Sequence, residues 1–505
     1  MLYMSKSAGD QNAIRFLMEM KIPAESCITT KGRMDKNSGF LEGLKVGEAR
    51  KTIIERLEKD GFLAKKEEIL HSTPICERSK DAIEFITMPE YYLKQLDFLD
   101  DIKKVSDKIN FYSEKNKQIL LDWIRSVSID WPISRRRYYA TEIPLWYCKC
   151  GETIVPEKGK YYKPWMEGPN VKCPKCGGKD FEGETRVFDA WFDSSISPLY
   201  ILKYLERPEF FKKAFPAGLR PQGKEIVRTW LYYTLLRCYQ LTKKPIFKDV
   251  WIHYHILDGK GRKMSKSLGN TVDPAQLLDK FGAEPIRLWA VLEGNLTDTD
   301  FRCSEDRIQG TGKFLTKLWN VAKFISMFKE PKNQGKLQPL DNWILSESDK
   351  IVKEANEKYE KYDFHNPVSK TRFFIWEILA SHYLELVKAR AYNEEGKFSE
   401  EEQEAAVWTL NKVLDTVLRL LAPVAPFITY RLYMDLRGRD IHLEEFPKSE
   451  GLQFSEFETK ELVEFNSNVW KTKKERGLSR LKPLEIAWRS YRDSNPGFSL
   501  ERATS

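Results

Sequence analysis

Pro245-Ile-Phe-Lys-Asp-Val-Trp-Ile-His-Tyr-His-Ile-Leu257 runs directly into Asp258-Gly-Lys-Gly-Arg-Lys-Met-Ser-Lys-Ser-Leu-Gly-Asn270. The first part reads as a strand with Val250 and Ile252 turned inward, and a helix is predicted around Ala275–Phe281. Strand, polar loop and helix in that order suit one half of a parallel, doubly wound sheet. In the loop, Lys263 and Lys266 alternate with Ser265 and Ser267 around Met264, and Gly269-Asn270 closes the segment. Two ammonium groups beside small hydroxyls suit a polyphosphate, because fixed cations stabilise charge that develops on transferring phosphoryl oxygens. An ordinary solvated basic turn is the plainer alternative for such a loop standing alone. A second Met-Ser-Lys-Ser, at Met4–Ser7, lacks the leading lysine, the Gly-Asn close and an upstream strand, and is read as coincidence.

Composition bounds what surrounds this loop. A chain of 505 residues has room for about three to four domains. Hydrophobic content of 41%, with 14 Trp and 28 Phe, points to packed cores and excludes a disordered chain. The formal net charge of +9 is compatible with a polyanionic partner such as RNA but does not require one. No run of about 18 apolar residues predicts a transmembrane helix, and the first residues lack the order of a secretory signal. A cytoplasmic protein with no membrane partner is expected. Eight cysteines fit that compartment; Cys27, Cys76, Cys238 and Cys303 are scattered and are expected to be inert.

Periodicity predicts helices over Val46–Phe62, Tyr91–Ile102, Ser113–Ser126 and Trp230–Leu241, another through Ala13–Met20, and a short strand over Ala82–Thr87. Past residue 310 the texture changes to long apolar stripes over Phe314–Phe328, Arg372–Tyr392 and Val407–Leu421, with Pro423 as a stop. An all-α bundle is predicted from about 310 to 435. Asn466–Leu481 reads as a basic helix, and residues 487–505 as an aperiodic tail that suggests out-of-frame translation.

Four cysteines cluster as Cys148-Lys-Cys150-Gly and Cys173-Pro-Lys-Cys176-Gly-Gly. The Cys-Pro-x-Cys-Gly turn aims two thiolates at one ion, and its glycine lets backbone amides approach the sulfurs. Four thiolates make a closed tetrahedral Zn²⁺ site, structural and not catalytic. The tighter Cys-x-Cys half strains its pair, and four unliganded thiols in a reducing compartment are the alternative.

Further motifs fall in one order around the loop. They are Asp130-Trp-Pro-Ile-Ser-Arg-Arg-Arg-Tyr-Tyr-Ala140, Ile143-Pro-Leu-Trp-Tyr-Cys148, Phe188-Asp-Ala-Trp-Phe-Asp-Ser-Ser195 and Arg220-Pro-Gln-Gly-Lys-Glu-Ile-Val-Arg-Thr-Trp230. With Lys263–Ser267 they resemble the class I aminoacyl-tRNA synthetases of the valine, isoleucine and leucine group, nearest to valyl-tRNA synthetases of archaeal type. Trp343-Ile-Leu-Ser346 and Leu420-Leu-Ala-Pro-Val-Ala-Pro-Phe-Ile-Thr429 resemble that family's anticodon-binding helices. The resemblance spans residues 10 to about 485.

That resemblance implies an α/β fold, a partial Rossmann-like catalytic domain with a zinc-binding insert, followed by the helical bundle. Residues 1–80 would be the end of the editing insertion and 81–300 the second catalytic half, with the zinc knuckle at 147–180 and the lysine loop at 261–270. Residues 310–435 would bind the anticodon arm, and 436–505 would form a C-terminal extension. ATP, with Mg²⁺, would be held by Lys263, Met264, Ser265, Lys266 and Ser267, with Gly223 and Glu225 on the adenosine. Lys263 and Lys266 would act in catalysis, and Trp191 would wall the amino-acid pocket. L-valine and a valine tRNA are the implied substrates.

The departures from the pattern are specific. None of the six histidines begins a His-Ile-Gly-His type signature. Ala140 stands where glycine is usual, Glu225 where aspartate is usual, and Ala13 where an editing-site aspartate is expected. Cys76-Glu-Arg-Ser79 looks like a decayed second knuckle. The expectation is a valine–tRNA ligase lacking its N-terminal part, or completed by a complementary N-terminal polypeptide, and inactive alone. A non-catalytic tRNA-binding paralogue and an isoleucine–tRNA ligase are the alternatives. One methylene discriminates by only about 1–3 kcal/mol in an apolar pocket.

Overall fold

The computed structural model describes residues 16, 17, 19, 20, 22, 26–67, 75, 76, 79–86, 88–137, 140–295, 297–454 and 456–477. The repeat at Met4–Ser7, Ala13 and the tail at 487–505 lie outside the described residues, as do parts of the helices expected over 13–20 and 466–481. The chain divides into two compact units, residues 1–94 with 130–189, and residues 95–129 with 190–505.

In the first unit a helix spans Val46–Lys59 and ends just before Gly61, whose φ of 75° suits a residue without a side chain. Its Cys-bearing part is a three-stranded antiparallel sheet, with Trp146–Cys148 between Thr153–Ile154 and Phe181–Gly183. Gly183 is obligatory there, because an added Cβ would lie 1.9 Å from the carbonyl oxygen of Pro164. Where a helix was expected from Tyr91, Tyr92–Leu93 instead pairs antiparallel with Trp131–Pro132. The Tyr91 amide donates to Ser134 Oγ and its carbonyl accepts from the Ile133 amide. These long-range bonds override the local helical period, and the α-helix starts only at Leu99, running to Ser106. The strand expected over 82–87 is reduced to a single bridge between Ala82 and Ile75, with Thr87 outside the described residues.

In the second unit β1 (Asn110–Tyr112), β2 (Ala217–Gly223) and β3 (Phe247–His253) form a parallel sheet in the order β1-β3-β2. Phe247, Val250 and Ile252 of β3 are buried. Buried Leu120 and Ile124 come from the helix Lys117–Ser126, and Tyr232, Leu235 and Leu236 from the helix Tyr232–Thr242. Two short strands, β4 (Ile256–Leu257) and β5 (Phe301–Arg302), pair in parallel beyond β3. The loop between them carries the lysines.

Helices Glu305–Ile325, Pro339–Tyr359, His365–Phe373, Leu384–Tyr392, Glu400–Leu421 and Pro426–Arg437 follow, the third and fourth joined by a π-wound stretch over Phe374–Tyr383. Leu318, Trp343, Leu379, Leu410, Leu414 and Val417 share one core with Leu288 of the preceding helix Ala283–Leu292. The stripes therefore turn inward as their spacing predicts. Ser399 caps the Glu400–Leu421 helix reciprocally with Glu402. A further helix, Thr459–Glu475, packs Leu462 into the same core. Among the described residues no helix is long and apolar enough to cross a membrane.

Candidate functional site

β2 and β3 end side by side, Gly223 opposite His253. In parallel sheets ligands bind beyond such carboxyl ends. β2 runs through Gly223 into a short 3-10 turn, Lys224–Ile226, which presents Glu225 at the surface. β3 runs into Tyr254 and His255, then β4 and the lysine loop. The two turns meet: Lys263 Nζ donates to Glu225 Oε1, and His255 Nε2 lies 3.1 Å from Glu225 Oε2. The Lys263 ammonium, and after it the His255 ring, hold the Glu225 carboxyl below the usual range.

A second carboxylate steadies this edge. Asp300 accepts from the His255 amide at 2.7 Å and from Lys224 Nζ at 3.1 Å. Burial opposes ionisation of Asp300, but these donors keep its pKa lowered.

The loop is built around Asp258 and Asn270. Asp258 Oδ1 accepts from the amides of Lys260 and Arg262 at 3.0 and 2.8 Å. Asp258 Oδ2 accepts from Asn270 Nδ2 at 2.9 Å. The Arg262 amide, and next the Asn270 amide group, hold the Asp258 carboxyl well below the usual carboxylate range. Asn270 also donates to the Lys263 carbonyl at 3.1 Å and accepts from the Ser265 amide at 2.9 Å. Ser265 caps the short turn Lys266–Leu268, and Met264 Sδ accepts from the Val272 amide. Lys266 is exposed and enters no ion pair among the described residues. The Ser267 side chain lies outside what is described. The arrangement is a hydrogen-bonded base with one lysine against a carboxylate and a second lysine toward solvent.

Trp191 stands on a separate turn, the helix Ala190–Ser194, and is half-buried. His255, Asp258, Asn270 and Asp300 thus join the predicted Lys263, Lys266, Gly223 and Glu225. Asn270 was visible as the end of the motif. The roles of His255, Asp258 and Asp300 depend on contacts that no spacing rule encodes.

In the first unit the four cysteines converge. Cys148 Sγ lies 3.6 Å from Cys176 Sγ, and Cys150 Sγ 3.6 Å from Cys173 Sγ. All four sulfurs lie within 4.8 Å of one another. A tetrahedral ion with metal–sulfur bonds of about 2.3 Å needs sulfurs about 3.8 Å apart, so the donor set fits Zn²⁺. The Gly178 amide donates to Cys176 Sγ at 3.4 Å. An added Cβ on Gly178 would crowd that sulfur at 3.2 Å, and Gly177 adopts φ 68°. Burial opposes ionisation of Cys173, yet the backbone amides of Cys176 and Lys175 help hold its pKa down at about 7. Cys76 is not part of this group: among the described residues only Cys148, Cys150, Cys173 and Cys176 form a group that could hold a metal.

Comparison with known proteins agrees with this geometry. The profile of the family described as tRNA synthetases class I (I, L, M and V) matches residues 42–302. That of the anticodon-binding domain of tRNA ligase matches residues 341–487. Valine–tRNA ligase of Aeropyrum pernix is 42% identical over 497 residues, covering 96% of this chain and 60% of its own length. That of Pyrobaculum aerophilum is 40% identical over 486 residues, covering 95% and 60%. The chain thus spans 60% of the length of each of these two relatives. Methionyl-tRNA synthetase of Mycobacterium tuberculosis bound by methionyl-adenylate superposes with a TM-score of 0.55 at 17% identity, covering 76% of this chain and 70% of that one, a likeness of fold.

Proposed function

Because this chain belongs to the class I tRNA synthetases of the isoleucine, leucine, methionine and valine group, we propose that it serves as the phosphate-clamping and tRNA-binding portion of a valine–tRNA ligase. The substrates are ATP, L-valine and a valine tRNA. The valine assignment draws on relatives that carry that name at about 40% identity. The carrying observation is that Glu225 and Lys263, on different turns, meet at the carboxyl edge of the parallel sheet. Glu225 is suited to the ribose hydroxyls of ATP, Gly223 to close approach of the adenosine, and Lys263 and Lys266 to the phosphates.

In the first step a valine carboxylate oxygen bonds to the α-phosphorus and the bond to pyrophosphate breaks. Lys263 and Lys266 stabilise the charge that develops on the departing oxygens. Mg²⁺, when bound with ATP, would share that charge. In the second step a hydroxyl at the tRNA end attacks the valyl carbonyl, AMP leaves and the ester remains. Trp191 walls the branched side chain. The four cysteines hold a structural Zn²⁺ that takes no part in either step.

In-line attack needs ATP held from both sides, and positioning supplies much of the barrier lowering. These 505 residues contain no His-Ile-Gly-His type signature. Valine-dependent ATP–pyrophosphate exchange is therefore expected only when the chain is supplemented with the segment of an archaeal relative that bears that signature, as a complementary N-terminal polypeptide. The exchange should disappear on Lys266→Ala. Robust exchange by the chain alone would overturn the need for a complement. Isoleucine preferred over valine would overturn the substrate. No exchange in either case, with tRNA still bound, would leave a tRNA-binding paralogue.

A further inference from the structure

Arg220 lies in the interior, 6% exposed, on β2. Its guanidinium sits 3.4 Å over the Trp230 ring and 5.4 Å from the Phe247 ring. Its Nε donates to Gln222 Oε1 at 3.2 Å, and its Nη2 is buried with no hydrogen-bond partner among the described residues. No carboxylate pairs with it among those residues, and burial pushes its pKa down to about 10. A buried cation without a counter-ion is a poor device for stability, since an apolar side chain of similar volume would fill the space without the desolvation penalty. Residues that break such a rule concentrate where function needs them.

What Arg220 and Trp230 touch indicates the need. Gln222, itself fully buried, relays the Arg220 contact by donating from Nε2 to the Gly223 carbonyl at 3.2 Å. Gly223 opens the turn that presents Glu225. On the other side, Trp230 Nε1 donates to the Ser194 carbonyl at 3.2 Å. Ser194 ends the short helix that carries Trp191. Trp230 reaches both partners from a π-wound turn, Val227–Leu231, inserted between the Glu225 turn and the following helix. π turns inside helices are frequent at functional sites. Arg237 anchors the same Trp191 turn independently, 3.6 Å over the Phe192 ring and donating to the Phe192 carbonyl at 3.2 Å.

We propose that Arg220 and Trp230 are positioning residues that tie the turn carrying Trp191 to the turn carrying Gly223 and Glu225, and so fix the spacing between amino-acid wall and nucleotide seat. The role rests on the proposed function, in which the two turns hold the two halves of one adenylate. A misplacement of about 1 Å between reacting groups lowers rate by about 100-fold, so one rigid spacer serves such a site better than two separate anchors.

Amide hydrogen exchange on the whole chain without ligand tests the link. Arg220→Met should raise exchange about tenfold in residues 222–226 and also in 191–195, which Arg220 does not reach directly, while helices 305–437 stay protected. Trp230→Phe keeps a ring under the guanidinium but loses the indole N–H, so exchange should rise in 191–195 alone. A rise confined to 220–226 in Arg220→Met, or unchanged protection of 191–195 in Trp230→Phe, would overturn the proposal. If Arg220→Met fails to fold, Trp230→Phe alone decides. Absence of valine-dependent exchange in the complemented chain, with the turns linked as described, would count against the function and not against the link.

Discussion

Asn270 closes the lysine loop through three hydrogen bonds, to Asp258, Lys263 and Ser265. Asn270→Ala removes all three and leaves the Asp258 carboxylate with Arg262 and backbone donors only. Trypsin cleavage after Arg262, Lys263 or Lys266 should quicken about tenfold, with the rest of the digest unchanged. An unchanged rate would mean that Asp258 alone sets the loop. Arg390 and Asp341 pose a different problem in the bundle. Their side chains are 8% and 0% exposed, with Arg390 Nη1 to Asp341 Oδ2 at 2.7 Å and Tyr383 Oη to Asp341 Oδ1 at 2.6 Å. Arg390→Met leaves the buried carboxylate without a cation, held only by the Tyr383 hydroxyl and the Gln338 amide, which is expected to destabilise by about 3–5 kcal/mol, and Asp341→Leu added to it should recover part of that. Thermal or denaturant unfolding reads both variants. A loss under about 1 kcal/mol in the single variant would show that water reaches the pair. The motif residues Lys263, Lys266 and Asn270 were legible because they sit within one short loop. Arg390–Asp341 was not, because its partners come from different helices.

Elements show the same division. The antiparallel sheet around Trp146–Cys148 is held at one end by the cysteine cluster. Such a small sheet buries little apolar area, so a metal bound there would contribute folding energy. One Zn²⁺ per chain is expected by elemental analysis, and Cys173→Ser should abolish it and expose 146–183 to proteolysis. The same change at Cys303, a half-buried thiol outside the cluster, should leave zinc content unchanged. Retention of one zinc by Cys173→Ser would exclude the four-sulfur site. The helices Val46–Lys59 and Lys117–Ser126 lie where apolar periodicity predicts them, and the stripe predicted over Val407–Leu421 forms the later part of Glu400–Leu421, whose start is set by the Ser399 cap. The Tyr91–Ile102 prediction gives way because Trp131 and Ile133 supply strand partners that a local window does not contain.

At the scale of the molecule, the bundle and the parallel sheet belong to one compact unit, and Tyr362 Oη donates to Asp249 Oδ2 of β3 at 3.0 Å while Phe364 packs edge-on against Trp251. Arg287 adds a bond from Nε to the Val424 carbonyl at 3.0 Å. Binding at the bundle is therefore expected to be felt as added stability of the sheet. A valine tRNA should raise the unfolding temperature of the whole unit. Its affinity should fall at least tenfold between 50 and 200 mM salt, because phosphate contacts release counterions. An anticodon stem-loop should compete for this binding, whereas an acceptor-stem minihelix should not. Salt-independent binding, or competition by the minihelix alone, would move the interface off the bundle.

The amino-acid sequence by itself determined whatever acts between near neighbours along the chain. That covers the strand–loop–helix order around Lys263, the two cysteine knuckles and the apolar stripes of the long helices. Spacing, turn chemistry and periodicity operate over a few residues, so they survive as patterns. Only the tertiary structure decided which separate turns meet. It set Glu225 on Lys263, left Lys266 without an ion pair among the described residues and put Asp300 behind His255. It also buried Arg220 between Trp230 and Phe247. Those outcomes depend on how β2 and β3 align and on what the π-wound turn brings over them. Charge pairing and burial between distant residues are properties of packing, and no local stretch of sequence contains them.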